Sequence, residues 1–141
     1  MMKVIKAILF WLASLTWGLP MTLVGIVCAI ALLITGHRPH RFHYFVYFEV
    51  GTGWGGFEAG CFFFCNKHAS LHIKQHESGH GLQNIMLGVL MPFIVSIPSC
   101  IRYWYREILV KSGKKKYSDL PDYDAAWFEG WATRLGSKFF K

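Results

Sequence analysis

The sequence has little charge, and the charge it has is mostly of one sign. Charged residues make up 16% of the 141 residues, against about 25% in a typical soluble domain, and fifteen Lys and Arg face only eight Asp and Glu. Hydrophobic residues make up 53% of the chain, which excludes a disordered protein. The deficit of charge favours contact with lipid. The net charge of +7 would permit nucleic-acid binding, but six Trp and twelve Phe exceed what a basic groove needs, so no nucleic-acid partner is expected.

Cysteine is also scarce, and its four copies are poorly spaced for a disulfide framework. Cys28 and Cys100 lie in apolar segments, whereas Cys61 and Cys65 flank a run of Phe. We expect reduced, packed thiols. Cys61 and Cys65 with His68 form an alternative set of metal ligands, although packing on one face of a strand is the favoured interpretation.

The longest charge-free run extends from Ala7 to Thr35, which is 29 residues. As a helix it would measure roughly 43 Å, against a hydrocarbon core of about 30 Å. Pro20 predicts a kink near its middle. Residues 1–36 are therefore predicted to be a membrane anchor, either one kinked crossing or a re-entrant hairpin that returns to the same side. The hairpin is favoured, although both ends carry cations, namely Lys3, Lys6, Arg38 and Arg41.

Residues 37–67 predict a β-hairpin. Apolar and other side chains alternate from Arg41 to Val50 with the period of a strand, and Phe57 to Cys65 is a second, mostly apolar strand. The glycines between them, Gly51, Gly53, Gly55 and Gly56, predict the turn.

Residues 68–110 predict a helix from about Ala69 to Leu90, followed by an apolar segment that Pro92 and Pro98 interrupt. Residues 111–141 predict a basic loop, which either rests on anionic headgroups or is a plain surface loop. After it we predict a last helix, capped by Asp122 or Asp124, that ends at about Gly136. The expected fold is thus α+β and membrane-associated, with an anchor at 1–36 and one compact domain at 37–141.

An HExxH motif occupies the centre of the chain, at His76, Glu77 and His80. The number of matches expected by chance is on the order of 0.01, so chance is a poor explanation. On a helix, the two imidazoles lie one turn apart and can bind the same zinc ion, and Glu77 reaches a metal-bound water as a general base. His72 is an alternative partner for His76, but that choice leaves Glu77 without a role, so His72 is placed beside the site or on the surface.

The last helix offers a third zinc ligand, Glu129. This carboxylate lies on a stripe of otherwise small residues, Ala125, Ala132 and Gly136, which lets two helices approach closely. We expect the stripe to pack on the HExxH helix near Gly79 and Gly81. Because its neighbours are apolar, Glu129 needs a charged partner there.

These residues resemble the gluzincin zinc metallopeptidases, in which two motif histidines and a downstream Glu bind zinc. The layout is similar to that of the membrane-bound heat-shock and CAAX prenyl endopeptidases. A closer resemblance, across most of the chain, is to small bacterial membrane proteins that carry Gly-Trp-Gly-Gly, HESGHGLQ, Ile-Pro-Ser and Trp-Phe-Glu-Gly-Trp-Ala in the same order. It implies His76, His80 and Glu129 as ligands of one Zn²⁺ and Glu77 as the base. One departure is Thr133, where the endopeptidases usually have Asp after the Glu motif.

The leading hypothesis is therefore a membrane-associated zinc metallopeptidase that cleaves a peptide or protein substrate, including substrates bound in the membrane. We expect it in a bacterial inner membrane, with its catalytic face towards the cytoplasm. An oxyanion donor is required as well, and the candidates are Tyr103, Tyr117, Tyr123 and His72. Residues 53–60 offer either a strand edge for an extended substrate or a simple packed turn.

The alternative hypothesis is a non-catalytic, zinc-binding membrane scaffold or partner-binding protein. A structural zinc site has four protein ligands, whereas a catalytic site leaves one position to water. A fourth ligand such as His72 would favour the scaffold. A headgroup or nucleic-acid binder that uses Lys114 to Lys116 is a third, weaker hypothesis.

Overall fold

Five helices and one small sheet make up the computed structural model, which describes residues 1–141. The mixture of helices and strands confirms the predicted α+β class. The helices are α1 (Met2–Leu15), α2 (Leu19–Ile34), α3 (Leu71–Leu87), α4 (Ile97–Lys111) and α5 (Trp127–Phe139). The strands are β1 (Pro39–Phe42), β2 (Phe45–Glu49), β3 (Gly56–Ala59) and β4 (Phe62–Cys65).

The four strands form a sheet in the order β1-β2-β4-β3. Strands β1 and β2 form one antiparallel hairpin, β3 and β4 form a second, and β2 and β4 join the two in parallel. Each hairpin turns through two residues, His43 with Tyr44 and Gly60 with Cys61. Both turns need a positive φ, which is 50° at His43 and 74° at Gly60.

The prediction of one hairpin with its turn at the glycines 51–56 is wrong. That segment connects β2 to β3, which are not neighbours. The predicted strand from Arg41 to Val50 is broken at His43 and Tyr44, and the predicted strand from Phe57 to Cys65 is broken at Gly60 and Cys61. The turn at His43 and Tyr44 was missed because neither residue is Gly or Pro and the alternation continues through it. The parallel pairing of β2 with β4 was missed because nothing local encodes it.

Helices cover both faces of the sheet. On one face, Phe45 and Phe63 pack with Phe10 of α1 and with Phe140 at the end of the chain. On the other face, the side chains of β2 and β4 pack with α2 and with the segment before α4, through Met21, Ala29, Phe48, Phe64, Met91 and Val95. Residues 1–36 therefore share a core with the rest of the chain. Cys61 and Cys65 are buried free thiols in the first of these clusters.

Two helix pairs are sharply bent. Helices α1 and α2 turn by 95° at Thr16–Gly18, and the chain turns by 117° between α3 and α4 through a 3-10 turn, Gly88–Leu90, and a π-helical turn, Pro92–Ser96. No single helix is long and apolar enough to cross a bilayer. Each bent pair is, when its two helices are taken together. Whether the chain is anchored in a membrane stays a prediction.

The start of α5 differs from the prediction. Neither Asp122 nor Asp124 caps it, because a 3-10 turn at Tyr123–Ala125 intervenes and the N-cap residue is Ala126. The helix continues to Phe139, one turn beyond the predicted end at Gly136.

Candidate metal centre

Helices α3 and α5 cross at small residues, and this crossing builds the site. A Cβ atom at Gly79 would overlap the backbone carbonyl of Ala132, and one at Gly136 would overlap the carbonyl of Gln75. Gly79 thus faces α5, as the stripe of small residues predicts. Gly81 does not, because it lies against the ring of Phe45 on the sheet side of α3.

The crossing brings His76, His80 and Glu129 together as a group that could hold a metal ion. The Nε2 atoms of the two histidines lie 3.1 Å apart, and they lie 3.1 and 3.0 Å from Oε2 of Glu129. Exposed fractions are 9% for His76, 6% for His80 and 0% for Glu129. The three atoms therefore form a buried, nearly equilateral triangle.

The size of this triangle is suitable for one metal ion bound by all three atoms. Bonds of 2.0–2.1 Å in a tetrahedral zinc site place neighbouring ligand atoms about 3.3–3.4 Å apart. The observed separations of 3.0–3.1 Å are shorter by only a few tenths of an ångström.

The hydrogen bonds of Gln83 show that the Nε2 of His80 points a lone pair into the triangle. The Gln83 Nε2 donates to the carbonyl of Phe128 over 2.8 Å, which fixes its Oε1 towards His80. The His80 Nδ1–H then donates to that Oε1 over 2.7 Å. A neutral His80 therefore faces the Glu129 carboxylate with an acceptor, and two acceptors at 3.0 Å need a cation between them, either a proton or a metal ion.

Three residues outside the predicted set hold the ligands in place. Gln83 orients His80, Thr133 Oγ1 lies 2.8 Å from Nδ1 of His76, and the Ser99 hydroxyl donates to the second oxygen of Glu129. Partners of this kind fix the orientation of metal-binding side chains. Thr133 is therefore the hydrogen-bond partner of the His76 ring nitrogen that faces away from Glu129. Gln83 lies three residues after His80, and this spacing was the signal that could have identified it.

The electrostatics of Glu129 suit an anionic ligand. Burial alone would raise the pKa of its carboxyl group, but contacts with the two histidines and the hydrogen bond from Ser99 outweigh burial and hold the pKa well below the ordinary value. Glu129 is therefore ionised at neutral pH although it is fully buried.

Glu77 lies between the ligands and the edge strand β3. It is 5% exposed and lines the same cleft as both histidines. A Cβ atom added to Gly56 would lie 2.5–2.7 Å from its carboxyl group, so the backbone at the start of β3 approaches Glu77 as only glycine allows. Glu58, two residues along β3, is a second buried carboxyl, and burial raises its pKa well above the ordinary value.

A cleft of about 610 Å³ opens onto the two histidines. Residues of β3, α3 and α4 form its walls, and most of the lining surface is apolar. All four candidate oxyanion donors line it, but they differ in position. His72 is exposed and its ring lies 6.4 Å from that of His76, whereas the Tyr117 hydroxyl donates to Glu107.

Tyr123 is a half-buried candidate donor beside the ligands. Its ring centroid lies 6.2 Å from that of His76, and burial, with the charge of Glu129, raises the pKa of its hydroxyl, which stays protonated at neutral pH. Two arginines of α4 hold its segment. Arg102 donates to the carbonyls of Asp122 and Tyr123, and Arg102 and Arg106 lie over the Tyr123 ring at 5.7 and 5.5 Å.

The other predicted ligand set is not assembled. Cys61 and Cys65 are buried, but they belong to no group of three metal-binding side chains with His68. The basic residues 111–116 are exposed.

Comparison with protein-family models, with curated proteins and with solved structures finds no match to this chain. Function must therefore be argued from the geometry of the site.

Proposed function

We propose that this protein is a membrane-associated zinc metallopeptidase. The observation that carries the proposal is the triangle of His76 Nε2, His80 Nε2 and Glu129 Oε2, with all separations at 3.0–3.1 Å. Two imidazoles and one carboxylate are a ligand set typical of catalytic zinc, in which the fourth position is left to water. A bound zinc ion would lower the pKa of that water and polarise a substrate carbonyl.

The side chains around the triangle divide the work of peptide hydrolysis. Glu77 lies in the cleft beside both histidines and takes the proton from the attacking water. The Tyr123 hydroxyl, kept protonated by its surroundings, donates to the oxyanion that forms on the carbonyl. Arg102 and Arg106 act through Tyr123 because they hold its segment against α4.

The edge of β3 that pairs with no other strand is where an extended peptide would bind, at Gly56 and Phe57, the two residues of this strand that are not buried. Its inner side pairs only with β4, and Gly56, Phe57 and Glu58 line the cleft beside Glu77. A peptide added as a further strand would run past the metal ligands with its backbone hydrogen-bonded to β3. The apolar lining indicates a substrate with apolar side chains near the scissile bond.

The number of ligands favours an enzyme over a scaffold. A scaffold with structural zinc would need a fourth protein ligand. The metal-binding group has three members, and His72, the residue proposed as a fourth, is exposed and outside it.

Metal analysis of purified variants tests the ligand set. We expect about one zinc per wild-type chain and loss of zinc in His76→Ala, His80→Ala and Glu129→Gln. His72→Ala is the matched control, because it removes a histidine one turn away on the same helix and should retain zinc. Zinc that survives in all three ligand variants would refute the assignment.

Peptide hydrolysis tests the catalytic part separately. Glu77→Gln should retain zinc and lose about 10²–10⁴-fold in hydrolysis, the contribution of a general base. Glu107→Gln, which changes a carboxylate of the same cleft that lies away from the ligands, should retain activity. A wild-type protein that binds zinc but cleaves no apolar peptide in detergent would support the scaffold instead.

A further inference from the structure

Apolar residues surround the bend in each helix pair. The bend between α1 and α2, residues 15–19, is here called the first elbow, and the bend between α3 and α4, residues 86–93, is called the second elbow. The chain turns by 95° at the first and by 117° at the second, so neither pair continues as a straight rod.

The two elbows contact each other. The Trp17 indole lies against Gly88, where a Cβ atom would overlap the ring and φ is +56°. The fully buried Asn84 donates from Nδ2 to the carbonyl of Gly18 over 3.3 Å. The elbows therefore form one continuous surface.

This surface is strongly apolar and exposed. It carries seven large hydrophobic side chains with exposed fractions from 36% to 71%, namely Leu15, Trp17, Leu19, Met86, Val89, Leu90 and Phe93. Contiguous apolar patches of this kind mark contact with a membrane or a protein.

The distribution of charge identifies the partner. No Asp, Glu, Lys or Arg occurs between Lys6 and Arg38, around the first elbow, or between Glu77 and Arg102, around the second. Cations occur instead near the far ends of the four helices, at Lys3 and Lys6, at Arg38 and Arg41, at Lys67 and Lys74, and at Lys111 and Lys114 to Lys116. Such cations match anionic lipid headgroups.

The exposed side of α4 changes from apolar to aromatic to basic along its length. Phe93, just before α4, and Ile97 and Ile101 come first, Trp104, Tyr105 and Ile108 follow, and Lys111 lies at the end. Trp and Tyr are typical of the boundary between hydrocarbon and water, and Lys is typical of the headgroup layer. The order indicates that the second elbow lies deepest.

We infer that the paired elbows are a single insertion surface that enters the hydrocarbon core of an anionic bilayer from one side, while all four helices return to that side. Helices α1 and α2 measure about 21 and 24 Å, each shorter than the core of about 30 Å. If both helices are inclined equally to the membrane normal, the first elbow would lie roughly 15 Å below the surface of the hydrocarbon core, which is about half of its thickness. The inference rests on the membrane association proposed above but not on the zinc chemistry.

Depth-dependent quenching tests the insertion. One labelling cysteine at a time, Leu15→Cys or Phe93→Cys, is placed in the full chain with Cys28→Ser and Cys100→Ser, while the buried Cys61 and Cys65 are kept. Each cysteine carries an environment-sensitive fluorophore in phosphatidylcholine and phosphatidylglycerol vesicles. Trp127→Cys and Phe139→Cys are matched controls, because these α5 residues are 59% and 58% exposed. Each labelled protein must retain the helical circular dichroism of the wild type.

We expect nitroxides on the lipid acyl chains to quench both elbow probes several-fold more than the α5 probes, and aqueous iodide to do the reverse. Equal quenching at elbow and α5 sites, or quenching at one elbow alone, would overturn the inference.

Sidedness is measured in bacterial membrane vesicles of both orientations. An impermeant maleimide should label Lys3→Cys, Arg38→Cys and Lys114→Cys in the same one of the two preparations. Labelling of Lys3→Cys and Arg38→Cys in opposite preparations would show a crossing and overturn the inference. The zinc content of the same samples reports on the metal centre separately, so failure of one proposal is distinguishable from failure of the other.

Discussion

The role of Gln83 gives the sharpest quantitative prediction. This side chain is fully buried and makes two hydrogen bonds, from its Nε2 to the Phe128 carbonyl at 2.8 Å and from His80 Nδ1–H to its Oε1 at 2.7 Å. Gln83→Leu keeps nearly the same shape but removes both bonds. The His80 N–H is then buried without a partner, whereas the Phe128 carbonyl, which lies within α5, keeps its bond in the helix.

The two losses have different consequences. The unpaired His80 N–H costs about 1–3 kcal/mol and the lost bond to the Phe128 carbonyl about 0.5–1.5 kcal/mol, so Gln83→Leu should lower the free energy of unfolding by about 1.5–4.5 kcal/mol. The bond to the Phe128 carbonyl is lost with or without metal and affects stability alone. The His80 ring loses the partner that orients it, which should weaken zinc binding about 10–100-fold.

Zinc competition against a chelator and chemical unfolding measure the two effects. Gln75→Leu is the matched control, because Gln75 also donates from α3 to a carbonyl near the end of the chain, that of Phe140 at 2.9 Å, but touches no ligand. The control should lose stability and keep the zinc affinity of the wild type. Equal zinc affinity in Gln83→Leu and wild type would refute the reasoning that Gln83 orients His80 for the metal.

Four further predictions follow from the same site. Tyr123→Phe should lower kcat about 10²-fold with little change in KM, whereas Tyr117→Phe should not. Gly79→Ala forces a Cβ atom against the Ala132 carbonyl, so the free energy of unfolding should fall by about 1–3 kcal/mol in a denaturant titration, with loss of zinc. Burial raises the pKa of Glu58, so the native state holds its proton longer than the unfolded state; the wild type should therefore lose stability relative to Glu58→Gln as pH rises above the ordinary carboxyl pKa of 4.5. In a sample whose free zinc concentration is about 1,000 times the Kd for zinc, removal of the zinc should lower the free energy of unfolding by about 4 kcal/mol in the same titration.

The local parts of the site were predictable from the sequence, and so was one long-range contact. The spacing of His76 and His80 determines that both face the same way once the segment is helical. Glu129 lies 49 residues beyond His80, and it was identified because a lone carboxylate on a small, apolar helix stripe requires a partner. The close approach at Gly79 is the physical counterpart of that stripe.

The sheet was not predictable in the same way. Alternation of apolar residues shows that a segment is extended, but it does not show which strand lies beside it. The turn at His43 contains no glycine, so the strand from Arg41 appeared unbroken. The parallel contact of β2 with β4 depends on helices that cover both faces, and this long-range packing has no local signature.

The charges around the metal centre form one consistent system in the proposed enzyme. Glu129 is held ionised, whereas the raised pKa of Glu58 favours its neutral form. Both histidines are oriented by uncharged side chains, His80 by Gln83 and His76 by Thr133. A zinc ion bound there would have one anionic protein ligand, so the ion and its three ligands would carry a net charge of about +1, which would favour ionisation of the bound water more than a second carboxylate ligand would. Two further carboxylates lie outside the ligand set, namely Asp124, whose Oδ1 is 4.0 Å from Nδ1 of His76, and Glu77, the proposed base. Because Thr133 and Gln83 are uncharged, the two histidines are oriented without a further anion in direct hydrogen-bond contact, and the centre would keep the electrophilic character that peptide hydrolysis requires.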